Sequence, residues 1–150
     1  VCSSDLMISR IQRFAEESGQ KIPTAPGEIA QTVFASLALQ YALTCDVLEE
    51  LSGIPMQTIN IVGGGSQNTH LSQLTSNVTK RNVTSGPIEA TAMGNAIVQA
   101  IAYGEIKDLE AGRELIRKSV KDLKHFTPRD VNNLDSIRSK YRELAKLEMR

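Results

Sequence analysis

Apolar residues recur three or four positions apart over residues 7–18, at Ile8, Ile11, Phe14 and Ala15, which predicts an amphipathic helix stopped by Gly19. A connector follows from Lys21 to Gly27, with Pro23 and Pro26 inside it. The spacing then predicts a long helix over residues 28–51. Ile29, Val33, Phe34, Leu37, Tyr41, Cys45 and Leu48 form its expected core-facing stripe. Pro26 suits the first turn, Glu28 complements the positive N-terminus and Gly53 suits the stop. After Pro55 the period changes. Residues 58–62, Thr-Ile-Asn-Ile-Val, are short and β-branched and end in three glycines, which predicts a strand.

A short helix is predicted over residues 69–78, with Leu71 and Leu74 inward. A second strand is predicted over 82–84, ended by Ser85-Gly86-Pro87. The helix expected over 88–103 is lined by Ala90, Ala92, Gly94, Ala96 and Ala100, small residues that allow close approach to a sheet or ligand. Asp108 is placed to cap a helix running to Val120. Residues 121–133 read as an extended connector, and 134–149 as a terminal surface helix or tail. The expected organisation is therefore a main domain over 7–130 and a tail over 131–150. Residues 1–6, Val-Cys-Ser-Ser-Asp-Leu, lack a helix or strand pattern and read as a non-native scar on a truncated chain.

Composition narrows the class. Among 150 residues, 41% are hydrophobic and 23% charged, the balance of an ordinary globular protein. Seventeen basic residues offset seventeen acidic ones, which argues against a general electrostatic grip on nucleic acid or on an anionic membrane. The sequence contains neither a membrane-length apolar run nor a leader-like opening, so a cytoplasmic location is expected. Two cysteines and two separated histidines suggest neither a disulfide scaffold nor a metal centre.

The informative chemistry lies at Gly63-Gly64-Gly65-Ser66-Gln67-Asn68. A strand that ends in glycines before a helix leaves bare backbone at the carboxyl end of a sheet, where α/β proteins place ligands. Asn68 offers a donor and an acceptor suited to a purine or ribose edge. The glycines are not followed by Lys-Ser or Lys-Thr, and their spacing is not Gly-x-Gly-x-x-Gly, so the common nucleotide loops do not fit. A plain tight strand-to-helix turn would use the same residues. A second shelf occurs at Ser85-Gly86-Pro87-Ile88-Glu89, and parallel strands would bring both shelves to one sheet edge.

Three runs together, in order and spacing, carry a family resemblance: Pro26-Gly27-Glu28-Ile29-Ala30 with Ser36-Leu37-Ala38-Leu39, Ile61 through Asn68, and Gly86 through Asn95. They resemble the nucleotide-binding end of the FGGY carbohydrate kinases, members of the actin-like ATPase superfamily. The likeness covers about residues 7–130. It implies an α/β fold, part of an actin-like (ribonuclease H-like) domain, mostly helical with two short parallel strands. It also implies that Gly63, Gly64, Gly65 and Asn68 lie against ATP or ADP. Mg²⁺, the catalytic aspartate and the sites for a small ketose sugar would belong to an amino-terminal domain outside these residues. The alternatives are another sugar preference within the family, of xylulose or glycerol type, or a nonenzymatic helical interaction module.

Overall fold

The computed structural model describes residues 4–121 and 123–148. They form two compact units: residues 54–129, and a helical unit built from residues up to 53 together with those from 130 onward.

The helical unit contains α1 (Ser4–Glu17), α2 (Pro26–Ser52) and α6 (Leu134–Glu148). Helix α1 starts three residues before the expected Met7. Pro26 opens α2 as expected, because proline lacks the N–H that a first helical residue would leave unpaired. Gly53 closes it at φ 67°, donating its amide to the Glu49 carbonyl at 2.9 Å. The buried face of α2 differs from the expected stripe. It consists of Ala38, Leu39, Ala42 and Cys45, whereas Leu37, Tyr41 and Leu48 are exposed. Apolar residues surround most of this helix, so periodicity does not select one side, and the alanines occupy the closest approach.

Helix α6 lies against α2. Asp46 accepts from Arg138 Nη2 at 2.5 Å and from Arg142 Nη2 at 2.8 Å, and Tyr141 donates to Gln40 Oε1 at 3.1 Å. Burial disfavours the Asp46 carboxylate, but hydrogen bonds and charge from Arg138, then Arg142, outweigh that and hold its pKa below the usual value.

The second unit is a small mixed sheet with helices. Strands β1 (Thr58–Ile61) and β2 (Asn82–Ser85) pair in parallel through the crossover helix α3 (Thr69–Thr79), as expected for a β-α-β unit. A third strand, β3 (Lys124–Phe126), pairs antiparallel with β2, giving the order β1-β2-β3. The two expected parallel strands are present, and the expectation of a plain connector after residue 120 is corrected by this third strand. Three residues with only one apolar member carry no alternating pattern of their own, and β3 is defined by its partner strand. Side chains reinforce it: Gln73 Nε2 donates to the Thr127 carbonyl at 3.0 Å, and Asn77 Oδ1 accepts from the Arg129 amide at 3.0 Å.

Val83 is the most enclosed large residue, 1% exposed at the centre of the sheet. Over it sits the inner face of α3, formed by Ser72, Thr75, Ser76 and Thr79, all buried. Leu71 and Leu74, expected inward, are half-buried. The hydroxyls can be buried because each finds a backbone acceptor: Thr75 donates to the Leu71 carbonyl at 2.8 Å and Thr79 to the Thr75 carbonyl at 2.7 Å. Their small volume lets α3 lie close to β2.

Helix α4 (Ala90–Ala102) packs on α5 (Leu109–Ser119), where Gly112 is buried beside Ile97. A Cβ on Gly112 would stand 2.4 Å from Ile97 Cγ2, so glycine is required by space at this crossing. The small face of α4 suggested close helix–sheet packing by Ala90 and Gly94, but a Cβ at Gly94 would meet nothing within 4 Å. Asp108 caps α5 as expected, accepting from the Ala111 amide at 2.9 Å. No helix among the described residues is long and apolar enough to cross a membrane.

Candidate functional site

The parallel pairing of β1 with β2 brings the two shelves to the same end of the sheet. Backbone hydrogen bonds join them directly: the Gly86 amide donates to the Ile61 carbonyl at 2.8 Å, and the Gly63 amide to the Pro87 carbonyl at 3.0 Å. The Gly86–Pro87 peptide is cis. Gly63 has φ 77° and ψ −163°, a conformation essentially restricted to glycine.

Between Gly63 and α3 the chain makes one 3₁₀ turn, Gly64–Gln67. Gly64 and Gly65 are exposed, and a Cβ on either would meet nothing within 4 Å. Their amides have no hydrogen-bond partner among the described residues. Ser66, in contrast, is 4% exposed and held from several directions. Its amide and its hydroxyl both donate to the Gly63 carbonyl, at 3.0 and 2.6 Å, and its carbonyl accepts from Ser85 Oγ at 2.6 Å.

Asn68 ends this turn and begins α3. Its Oδ1 accepts from the Leu71 amide at 2.9 Å, an N-cap bond that satisfies one orphan donor of the helix. The chemistry of this side chain suggested a ligand group, and the cap is an addition to that expectation. Capping uses Oδ1 and fixes the side chain at the start of α3, leaving Nδ2 as the group outside the cap. The Asn68 carbonyl also accepts from Ser72 Oγ at 3.0 Å.

Gly63, Gly64, Gly65 and Asn68 are thus brought together, and Gly86 joins them through the Ile61 carbonyl. Glu89 lies at the N-cap position of α4 without a side-chain capping bond. His125 is on β3, its Nδ1 3.3 Å from Thr84 Oγ1, in the row beside the sheet centre rather than at the glycine turn. The residues that sequence reasoning missed are Ser66, Ser72 and Ser85, which hold the turn from beneath. Among the described residues there is no group of three or more His, Cys, Asp or Glu side chains placed to hold a metal ion.

A solved structure shares this fold. The crystal structure of Plasmodium falciparum glycerol kinase with ADP superposes with a TM-score of 0.63 at 20% identity, over 87% of this chain and 25% of that one. Residues 4–103 match the family model described as the C-terminal domain of the FGGY family of carbohydrate kinases. The chain belongs to that family. A rhamnulokinase from Ligilactobacillus salivarius is 44% identical over 122 residues, covering 81% of this chain and 25% of the relative. One from Bacillus subtilis is 40% identical over 133 residues, covering 89% and 27%. The chain spans about a quarter of the length of the curated relatives it matches.

Proposed function

We propose that this chain is the adenine-nucleotide-binding part of a cytoplasmic rhamnulokinase, which transfers the γ-phosphoryl of ATP to the C1 hydroxyl of L-rhamnulose. Gly63, Gly64, Gly65 and Asn68 contact the nucleotide. The observation that carries the reading is the open turn at Gly64 and Gly65, at the carboxyl ends of two parallel strands, in a member of a carbohydrate kinase family. The crystal structure of the glycerol kinase of similar fold is of that protein with ADP, which supports a nucleotide here. The relatives at 40–44% identity are rhamnulokinases, which supports rhamnulose as the acceptor.

The residues fit such a ligand. Bare backbone at Gly64 and Gly65 admits a flat or anionic group without side-chain displacement, and their amides are donors without an acceptor among the described residues. Among the described residues no three His, Cys, Asp or Glu side chains are grouped together, and this reading assigns Mg²⁺ mainly to the ATP phosphates and to residues elsewhere in the enzyme. ATP supplies the phosphoryl group. These residues bind and orient it, while the acceptor proton is removed by a base carried outside this chain. The full-length enzyme should form ADP with L-rhamnulose far faster than with xylulose or glycerol. Preference for either of the latter would remove the rhamnulose assignment but keep the kinase.

A further inference from the structure

The glycine turn is nearly devoid of side chains, so something else must fix its position. Gly64 and Gly65 meet no neighbour at their Cβ positions, and their amides are unpaired among the described residues. What locates them is the residue on either side. Gly63 is clamped by the Pro87 carbonyl, and Ser66 is clamped by Ser85. We infer that Ser85, through its buried hydroxyl, is a positioning residue for the nucleotide, holding the glycine turn in register with the second shelf. This rests on the reading of that turn as the nucleotide site.

The geometry is specific. Ser85 is the last residue of β2 and is 1% exposed. Its Oγ donates to the Ser66 carbonyl at 2.6 Å, a short bond between two enclosed groups. It also lies 3.4 Å from Ser72 Oγ, which donates to the Asn68 carbonyl. One hydroxyl therefore stands between the glycine turn and the cap of α3, the two parts that carry the proposed contacts. Removing it strands the buried Ser66 carbonyl, and the turn must shift to find another donor. Because Gly64 and Gly65 have no side-chain contacts to resist, the shift falls on them.

The test uses the full-length kinase, with ADP titrated calorimetrically and thermal unfolding followed on the same samples. Ser85→Ala should weaken ADP binding about tenfold, the effect of leaving one buried acceptor unpaired. Ser66→Ala, which removes the bond to the Gly63 carbonyl, should change affinity in the same direction. The control is Ser76→Ala. Ser76 is equally buried on α3 but donates to the Arg81 carbonyl at 2.8 Å, at the far end of the helix. It should lower the melting temperature and leave ADP affinity unchanged. In kinetics, Ser85→Ala should raise KM for ATP without changing KM for the sugar. Wild-type ADP affinity in Ser85→Ala, alongside loss of binding in Gly64→Val, would overturn the inference and leave the site reading intact. Equal weakening by Ser76→Ala would also overturn it, reducing the effect to general stability. Should Gly64→Val bind as wild type does, the site reading fails and takes the inference with it. If Ser85→Ala does not fold, Ser85→Cys, which puts a weak S–H donor in place of the hydroxyl, decides by the same criteria.

Discussion

The amide of Gly63 donates to the carbonyl of Pro87 at 3.0 Å, tying the turn that leaves β1 to the loop beyond β2. To make that bond and still turn toward α3, Gly63 adopts φ 77° and ψ −163°. The neighbouring Gly64 and Gly65 do not share this constraint, since neither has a positive φ. The three glycines thus divide the work: one satisfies backbone geometry, and two leave space.

That division predicts different outcomes for similar substitutions. Gly63→Ala should cost about 1–3 kcal/mol, because a side chain is forced into a region that only glycine occupies readily. Gly64→Ala should be close to neutral for stability. Chemical denaturation of the full-length enzyme would check this, and equal losses for the two variants would contradict it.

A second prediction concerns acid. Glu28 Oε1 pairs with Lys21 at 2.6 Å, and Oε2 accepts from the amides of Thr24 and Ala25 at 2.9 and 3.2 Å, half of a capping box at the start of α2. The Lys21 hydrogen bond, then the two amides, lower its pKa from 4.5 to about 2. A depressed carboxylate stabilises the fold fully above its unfolded pKa. That contribution is lost as pH falls from 4.5 to about 2. An NMR titration of the Glu28 carboxyl should show a midpoint near that lower value, and Glu28→Gln should flatten the stability profile over the same interval. A midpoint at the ordinary value would contradict the cap.

Asp46 makes the third. It holds two arginines of α6, and the side chain of one, Arg138, is only 15% exposed. Asp46→Asn should weaken the docking of α6 on α2 by about 1–3 kcal/mol, leaving a partly buried guanidinium without its anion. Faster amide hydrogen exchange through α6 would report it, and unchanged protection there would contradict it.

The legible parts of this sequence are those with punctuation. Pro26, Gly53 and Asp108 mark helix ends because each solves a backbone problem that few other residues solve. The abrupt change from a helical period to Thr-Ile-Asn-Ile marks β1, and the parallel pairing follows from the intervening helix. The inner face of α3 escapes an apolar pattern because it is made of hydroxyl residues. Yet Ser72, Thr75, Ser76 and Thr79 stand three and four apart, the same spacing that identifies an apolar stripe. As small residues able to satisfy themselves on the preceding turn, they mark the buried side. Asn68 points toward a ligand by its chemistry, while its position before Thr69 also signals a cap. Strand β3 is not legible, since its only strand signal is the edge of β2.

Whether the open turn receives a nucleotide is tested most directly by calorimetric titration of ADP into the full-length enzyme. Gly64→Val places a side chain where the protein itself has no neighbour, so the variant should fold and unfold like wild type. It should nevertheless lose ADP binding, and Asn68→Ala should weaken it. Wild-type affinity in both variants, with nucleotide bound normally by the parent, would contradict the placement of the nucleotide at this turn.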